Sequence, residues 1–277
     1  MVLNEYKDKV NVIIQNYIDQ NKDDNVREML KYSLEGGKRL RSIIALYIFD
    51  NYKQKCDSVV VAIELLHSAS LILDDLPCMD NDSYRRNKLS FHKKFGVKNA
   101  YLLSNYLFCE FNRIIKDLKD EYILTYVFKK LNLIILGQYY DLNPNKNKNT
   151  NLSLEDKIKN NNLKTTPFFV LSFFIPLFLC NKNVDESLVE EISILFSTSF
   201  QIYDDFLDIE QDKKTGNFNH IIMLGEKTSY EIYTKNLEVF KKKIIKLNLK
   251  IELFTHIINY LNNKLEHHNN GLQYYKA

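Results

Sequence analysis

The sequence predicts a single all-α domain, a helical bundle of ten or more helices that spans residues 1–277. Only seven glycines and four prolines occur in 277 residues, and these are the residues that interrupt helices most often. Apolar residues recur at helical spacing along the chain, and no segment alternates apolar and polar residues as a strand does. A hydrophobic fraction of 45% is typical of a globular chain that buries a core.

The helices can be justified in chain order. Near the N-terminus one predicted helix face collects Val10, Ile13, Ile14, Tyr17 and Ile18. The segments "VVVAIELLHSASLIL" and "AYLLSNYLFCEF" are apolar on nearly all sides, which is typical of helices packed between other helices. The run "FFVLSFFIPLFLC" is too short to span a bilayer, so it is predicted to be a buried core helix. Near the C-terminus another face collects Phe254, Ile257, Ile258, Leu261 and Leu265.

Two asparagine-rich stretches, residues 143–151 and 160–162, interrupt this pattern. Their polar, low-complexity composition predicts two solvated loops that flank a short helix. No internal repeat at a fixed period accompanies them, so they are not read as domain linkers.

Composition and charge exclude several classes of protein. A formal charge of +3, without a basic and aromatic stripe, does not favour nucleic acid as a partner. The four cysteines are scattered, which argues against a zinc site or a disulfide framework and fits a reducing compartment. The N-terminal segment carries acids throughout and has no continuous apolar core, so it resembles neither a signal nor a transit peptide. We therefore expect a cytoplasmic protein without an integral membrane segment.

The stretch "LILDDLPCMD" ends an apolar helix with Asp74, Asp75 and Asp80. Pro77 cannot continue the hydrogen-bond ladder, so the helix ends near Asp74. A helix C-terminus is itself partly negative, and each aspartate there costs about 0.3–1 kcal/mol. The cluster therefore predicts a positively charged ligand that the sequence does not contain.

A second stretch, "FQIYDDFLDIEQD", makes the same case independently. Asp204 and Asp208 lie four residues apart on one helical face, with Asp205 beside Asp204. Apolar neighbours suggest a partly buried helix, where unpaired carboxylates are costly. Hard oxygen ligands of this kind suit Mg²⁺, which commonly bridges carboxylates to a substrate's phosphates. The alternative is that each cluster is an ordinary solvated acidic patch.

Basic residues accompany the acids. "GGKRLRS" places Lys38, Arg39 and Arg41 after a Gly-Gly break, at a predicted loop-to-helix start where backbone N–H groups also favour anions. "SYRRNK" places Arg85 and Arg86 just beyond Asp80. Arginine suits phosphate oxygens because its planar fork binds them bidentately. The alternative is a surface salt-bridge network, which contributes little stability.

Together these stretches resemble the trans-isoprenyl diphosphate synthases, most closely the geranylgeranyl type. The resemblance covers roughly residues 36–208 and rests on six motifs in the family's order: "GGKRLRS", "DDLPCMDNDSYRRN", "FHKKFG", "GQYYD", "KTT" and "FQIYDDFLD". It implies an isoprenoid synthase-like bundle around a central prenyl-chain cavity, with the two acidic motifs facing each other across its mouth. The implied reaction is head-to-tail condensation of isopentenyl diphosphate with an allylic diphosphate. The resemblance also implies a homodimer.

The resemblance assigns roles to individual residues. It implies Mg²⁺, three ions per site, held by Asp74, Asp80 and Asp204 with support from Asp75 and Asp208. It places three residues on the allylic diphosphate, namely Arg85, Lys164 and Gln201. It assigns isopentenyl diphosphate, bound without metal, to Lys38, Arg41, His67 and Arg86. Thr165 and Gln201 would add dipoles near the developing carbocation. A lone histidine in an apolar helix is otherwise usually a core residue, so a structural role for His67 remains the alternative.

The chain departs from the family pattern at several positions. Leu73 stands where histidine is usual, Ser42 for proline, Asn87 and Thr166 for glycine, and Ser104–Asn105 for Gly-Asp. The stretch after Asp208 is shorter than in the family, which has two lysines there against the allylic diphosphate. Lys213, Lys214 and Lys227 are candidates, and Lys214 is the expected one.

Small residues before the first acidic motif predict product length. Ala69 and Ser70 lie about one helical turn before Asp74 and are expected to face the prenyl channel. Farnesyl-making relatives typically carry an aromatic residue at the Ala69 position. The expected product is therefore geranylgeranyl diphosphate, with farnesyl diphosphate as the alternative. Other readings are a terpene cyclase, a non-catalytic partner subunit and a purely structural helical protein.

Overall fold

The computed structural model describes residues 2–143, 154–215 and 218–268, and it confirms the predicted all-α fold. Twelve α-helices, one 3₁₀ turn and one two-stranded hairpin occur within these residues. Their bounds are α1 Val2–Asp19, α2 Asp24–Leu34, α3 Leu40–Asn51, α4 Asp57–Asp74, β1 Tyr84–Arg85, β2 Lys88–Leu89, α5 Phe91–Phe95, α6 Val97–Asp117, α7 Glu121–Leu142, α8 Leu154–Cys180, α9 Glu186–Thr215, α10 His220–Leu224, α11 Glu226–Ile244, the 3₁₀ turn Ile245–Leu247 and α12 Glu252–His268.

Two compact units make up the chain, and each is described by itself. The first unit contains Met1–Lys129 and Leu171–Lys182, and the second contains Lys130–Val170 and Asn183–Ala277. The expectation of a single domain stays a prediction.

Helix α4 is the centre of the first unit. It packs against α6, α3, α1 and α2, so most of its side chains are buried on all sides, as its nearly uniform apolar sequence predicts. Helix α2 begins at a cap in which Asp23 Oδ1 accepts hydrogen bonds from the backbone N–H groups of Asn25 (2.9 Å) and Val26 (3.1 Å). Helix α4 ends at Asp74, as Pro77 predicts.

Helix α9 is the centre of the second unit and packs against α10, α11 and α12. Its buried side includes Phe196, whose ring lies 5.1 Å from that of Phe240 on α11. Asn219 caps the N-terminus of α10, because its side chain accepts hydrogen bonds from Ile221 N and Ile222 N. These contacts fix the helix that carries the second acidic motif.

The prediction of a loop at Asn160–Asn162 is wrong. These residues lie inside α8, because Asn161 O and Asn162 Oδ1 accept hydrogen bonds from Gln201 (3.4 Å) and Thr198 (3.4 Å) on α9. Tertiary contacts thus outweigh the weak helix propensity of asparagine. The other predicted loop, residues 143–151, lies outside the described residues except for Asn143.

The apolar run in α8 is a core segment, as predicted. Every residue from Phe168 to Leu177 is buried. By length and composition the stretch Ile158–Cys180 would be long and apolar enough to cross a membrane, with a mean hydropathy of 1.7. However, 67% of that stretch's apolar window is buried inside the structure, and buried core helices meet the same criterion.

Candidate active site

In the first unit, a glycine turn brings the basic loop against the hairpin. Gly36 and Gly37 have φ of 78° and 85°, a conformation that glycine adopts without strain. The Arg86 guanidinium lies so close to Gly37 that a Cβ added there would come within 2.7 Å of Arg86 Cζ. Helix α3 then starts at Leu40, which confirms the predicted loop-to-helix start. A side chain at position 37 would therefore displace Arg86.

The hairpin presents the two arginines of "SYRRNK". Strands β1 and β2 pair Arg85 with Lys88, and the two residues between them, Arg86 and Asn87, have φ of 54° and 62°. Positive φ at both central positions defines the type I′ turn that fits the natural twist of paired strands. Arg86 Nη1 donates a hydrogen bond to the Glu35 carbonyl over 3.2 Å, which ties the hairpin to the end of α2.

His67 lies among the basic side chains. Its Nε2 is 3.5 Å from Arg41 Nη1. Burial, and then the positive charges of Arg41, Arg86, Arg39 and Arg85, lower the pKa of His67 well below its ordinary value of 6.5. The imidazole is therefore neutral at pH 7, and the positive charge of this region comes from the arginines. The predicted set of Arg41, His67 and Arg86 is thus brought together, with the exposed Lys38 on the same loop.

The first acidic motif forms a turn at the end of α4. Asp80 N donates to the Asp74 carbonyl over 2.9 Å, which returns the chain to the helix end. The Asp74 side chain is partly buried and Asp80 is exposed. A carboxylate pair at the rim of a unit is accessible to a cation and to a bound phosphate.

Asp75 and Arg85 form an ion pair beside this turn. Asp75 is 2% exposed and accepts hydrogen bonds from Arg85 Nε over 2.9 Å and from Arg85 Nη2. Arg85 also donates to Asp82 over 3.1 Å. Burial raises the pKa of Asp75, and the charge of Arg85 opposes this effect. The structure therefore places Asp75 on Arg85, where it orients the guanidinium.

A cavity of about 90 Å³ lies next to this ion pair. Its lining includes Gly36, Ser68, Asp75, Arg85 and Arg86. Ser68 Oγ is buried and has no hydrogen-bond partner within the described part of the chain. The cavity thus lies between the glycine turn, α4 and the hairpin, and Asp75 is part of its lining.

In the second unit, α7 and α8 position Lys164. Lys164 Nζ donates to Asp141 Oδ2 over 2.8 Å, and Thr165 beside it is partly buried. A Cβ added at Gly137 would come 2.3 Å from Lys164 N. Glycine in "GQYYD" thus permits the close approach of α8, and the aspartate of the same motif holds the lysine.

Helix α9 carries the second acidic motif. Gln201 is 9% exposed; its Nε2 donates to Asn161 O over 3.4 Å, while its buried Oε1 has no partner among the described residues. Asp204 is partly buried and Asp208 is exposed on the same helix. Lys214 is exposed in the last turn of α9.

Asp205 has a different role from its neighbour Asp204. Asp205 Oδ2 accepts hydrogen bonds from the backbone N and from Nδ1 of His220, each over 2.7 Å. Asn219 Nδ2 donates to the Asp205 carbonyl over 2.9 Å and to Asp212 over 2.8 Å. Asp205 therefore holds α10 against the helix that carries Asp204.

Ala69 has no exposed surface. It lies where α4 packs against α6, and Ser104 Oγ donates to its carbonyl over 3.0 Å. Ser70 is partly buried, and its Oγ donates to His67 O over 2.8 Å. The structure therefore gives no support to an open channel in contact with Ala69.

Sequence reasoning missed three residues that hold others in place, namely Glu64, which pairs with Arg39, Asp141, which pairs with Lys164, and His220, which bonds to Asp205. Glu64 offered a signal, because a single carboxylate inside "VVVAIELLHSASLIL" requires a buried partner. Asp141 lies in the motif "GQYYD", although the motif does not show that its partner is Lys164, 23 residues away. His220 offered no comparable signal, since its partner lies 15 residues away in sequence.

Comparison with known proteins identifies the family. Residues 23–236 match the family model described as polyprenyl synthetase. The chain is 33% identical to farnesyl diphosphate synthase of Buchnera aphidicola subsp. Acyrthosiphon pisum, over 80% of this chain and 82% of that protein. It is 32% identical to farnesyl diphosphate synthase of Bacillus subtilis, over 75% of this chain and 74% of that protein.

A solved structure agrees with these relatives. The crystal structure of geranyltranstransferase from Thermotoga maritima matches with a TM-score of 0.83 and 28% identity, over 96% of this chain and 100% of that one. The family model alone covers most of the chain, including both acidic motifs and the basic loop. The chain therefore belongs to the polyprenyl synthetase family.

Proposed function

We propose that this chain condenses isopentenyl diphosphate head-to-tail with an allylic diphosphate and that its main product is farnesyl diphosphate. Membership of the family makes it a trans-prenyltransferase. The observation that carries the proposal is that the first unit contains both an acidic turn and a group of basic side chains. A carboxylate-rich turn from Asp74 to Asp80 follows the helix that carries His67, and the charges of Arg41 and Arg86 act on that histidine. One diphosphate can thus be held through metal ions and the other by cations alone.

The carboxylates fit Mg²⁺ by their chemistry. Within residues 2–143, 154–215 and 218–268, no three His, Cys, Asp or Glu side chains form a ready metal cage. Mg²⁺ does not need one, because it keeps several waters and uses one or two carboxylates together with substrate phosphates. The proposed ligands are Asp74, Asp80 and Asp204, with Asp208 in support. Bound there, Mg²⁺ would neutralise the diphosphate as it leaves the allylic carbon.

The remaining groups on the allylic diphosphate are basic or polar. We assign Arg85, Lys164 and Lys214 to its oxygens, with Asp75 and Asp141 orienting Arg85 and Lys164. The Gln201 Oε1, buried and without a partner among the described residues, supplies a dipole for the developing carbocation, and Thr165 a second one. These groups stabilise charge without needing to reorganise during the reaction.

Isopentenyl diphosphate is assigned to Lys38, Arg41, His67 and Arg86. Neutral His67 offers a hydrogen bond, while the arginines offer charge and a planar fork for phosphate oxygens. Holding the alkene beside the allylic carbon converts an encounter of two substrates into a reaction within one complex. The proposed proton acceptor is the departing diphosphate.

The shorter product is favoured over geranylgeranyl diphosphate for two reasons. Two relatives that share about a third of their residues with this chain over most of their length are farnesyl diphosphate synthases. Ala69, the basis for expecting a longer product, has 0% exposure and contacts no open space. The one argument left for the twenty-carbon product is that Ala69 and Ser70 are small.

Chain-length analysis tests this proposal. The purified chain is incubated with labelled isopentenyl diphosphate, Mg²⁺ and each allylic primer in turn, namely the five-, ten- and fifteen-carbon diphosphates. We expect fifteen-carbon product from the two shorter primers and little extension of the third. Efficient extension of the fifteen-carbon primer would establish the geranylgeranyl product instead. Equal turnover in excess chelator, or no condensation product at all, would refute the proposal.

We also propose that residues 1–277 act as one domain and that the chain forms a homodimer. Asp74 belongs to the first unit and Asp204 to the second, and the proposed reaction uses both residues. On α6, Tyr101 and Leu102 are each 58% exposed, which leaves an apolar surface for a second copy. Light scattering should give a molar mass of twice that of one chain for the wild type. The Leu102→Glu variant should have the mass of a single chain. A monomeric wild type would refute the dimer.

A further inference from the structure

A buried ion pair lies beneath the basic loop of the first unit. Arg39 and Glu64 are 6% and 1% exposed, and Arg39 Nη1 donates to Glu64 Oε1 over 2.6 Å. Ser42 Oγ donates to the other carboxylate oxygen, Oε2, over 2.8 Å. Both oxygens of Glu64 are therefore occupied by protein donors that come from the start of α3.

Arg39 connects the loop to three other helices. Its Nε donates to Asn11 Oδ1 on α1 over 3.1 Å, its Nη2 donates to the Leu34 carbonyl at the end of α2, and its Nη1 reaches Glu64 on α4. It does so from a left-handed backbone conformation, with φ of 59°, at the position that precedes α3. A non-glycine residue holds this conformation only where its surroundings over-determine it.

Stability alone does not account for such a pair. Removing two charges from water costs several kcal/mol per ion, and well-packed apolar residues of similar volume are often as stabilising. An ion pair does, however, impose one geometry on the elements that it joins. The position of this pair in the fold indicates what that geometry serves.

The pair lies directly beside residues assigned to isopentenyl diphosphate. In sequence, Arg39 stands between Lys38 and Arg41, and Glu64 precedes His67 by three residues on the same helix. Residues three apart on a helix are neighbours on its surface. Because Glu64 balances Arg39, the remaining charge of the loop is that of Lys38 and Arg41.

We propose that Arg39, Glu64 and Ser42 form a positioning network that fixes Lys38, Arg41 and His67 for the metal-free diphosphate. The network rests on the proposed function and adds positioning residues to it. Its members touch no substrate and act through the loop and α4. Ser42, in the first turn of α3, supplies the donor to the second carboxylate oxygen of Glu64.

Three variants test the network. Ser42→Ala removes one hydrogen bond at little risk to the fold; Glu64→Gln keeps the shape but leaves Arg39 without a counter-charge; Arg39→Lys keeps the charge but loses the three-way fork. Ser193→Ala is the matched control for Ser42→Ala, since Ser193 is buried and donates to Val189 O over 2.7 Å in the second unit. Lys130→Met controls for loss of an ion pair, since Lys130 is 9% exposed and lies 2.5 Å from Glu190.

Two readouts separate the network from the proposed function. The first readout compares the change in the KM for isopentenyl diphosphate with the changes in the KM for the allylic primer and in kcat. The second is calorimetric titration with isopentenyl diphosphate in chelator, without primer, which needs no turnover. A thermal melt of each variant measures the folded fraction.

We expect about a threefold to tenfold rise in the KM and Kd of isopentenyl diphosphate for Ser42→Ala and a rise of roughly tenfold or more for Glu64→Gln and Arg39→Lys. The KM of the primer should stay within about twofold, and the controls should match the wild type.

Unchanged isopentenyl diphosphate binding in folded Ser42→Ala and Glu64→Gln would overturn the network. So would parallel losses for both substrates that follow the folded fraction, and so would absence of binding by the wild type. Binding without any condensation would refute the proposed function alone, and the titration would still decide the network.

Discussion

At the scale of single residues, three of the departures from the expected family pattern, Ser42, Ser104 and Thr166, each make a defined side-chain hydrogen bond. The hydroxyls of Ser42, Ser104 and Thr166 bond to Glu64 (2.8 Å), Ala69 O (3.0 Å) and Ser197 Oγ (2.7 Å). All three side chains are buried, so each bond satisfies a polar group that would otherwise be costly. These hydroxyls therefore join α3 to α4, α6 to α4 and α8 to α9, and none of them belongs to a proposed ligand.

The charge state of His67 depends on its burial and on the arginines near it. Its pKa is lowered in the folded protein, so the unfolded chain binds a proton near pH 6.5 that the folded chain does not. Stability from this residue is fully present above pH 6.5 and is lost as the pH falls below it.

His67→Asn should remove this dependence. We expect the wild type to lose about 1 kcal/mol more unfolding free energy than the variant between pH 7 and pH 5.5. Urea denaturation at the two pH values measures it. The exposed His256 provides the control variant His256→Asn. Identical losses in wild type and His67→Asn would show that His67 is protonated in the folded state.

At the scale of elements, α7 and α8 approach each other closely at Gly137. Alanine in place of glycine usually stabilises a helix interior by up to about 1 kcal/mol. Gly137→Ala should do the opposite, because the new Cβ would lie 2.3 Å from Lys164 N and 2.5 Å from Leu163 C. We expect the free energy of unfolding, measured by thermal melts, to fall by about 1–3 kcal/mol and kcat to fall as well, since Lys164 must shift.

Leu136→Ala is the control for that experiment, because Leu136 is the preceding residue on α7 and is 44% exposed. It should change stability much less. A Gly137→Ala variant as stable and as active as the wild type would mean that the two helices do not approach so closely.

The hairpin turn makes a second prediction at this scale. Asn87 has φ of 62°, where glycine fits without strain, asparagine fits well and β-branched residues do not. Asn87→Gly should keep the KM for isopentenyl diphosphate within about twofold of the wild type. Asn87→Val should cost about 1–2 kcal/mol and raise that KM, because the turn holds Arg86. Steady-state kinetics and thermal melts check both, and equal behaviour of the two variants would contradict the type I′ turn.

At the scale of the whole molecule, we expect both acidic motifs to contribute to the rise in melting temperature that a bound ligand causes. A ligand that binds only the folded state raises the melting temperature in proportion to its occupancy. Mg²⁺ with inorganic pyrophosphate should therefore raise it by about 3 °C or more at saturating concentrations.

Asp74→Asn and Asp204→Asn should each lose most of that shift and most of the activity. The exposed Asp117, which pairs with Arg113 over 2.9 Å, gives the control variant Asp117→Asn and should keep both. A full shift in either Asp74→Asn or Asp204→Asn would remove that residue from the metal site.

The sequence by itself determined the helical class, the end of α4 at Asp74, the start of α3 and the position of both acidic motifs. These features depend on local chemistry, namely the spacing of apolar residues, Pro77 and the Gly36–Gly37 turn. Only the tertiary structure decided that Asn160–Asn162 is helical, that Ala69 is enclosed, and that Arg39 pairs with Glu64 and Asp205 with His220. Those outcomes depend on partners that are distant in the chain. A local sequence pattern does not identify which distant side chain will bond to a buried polar group.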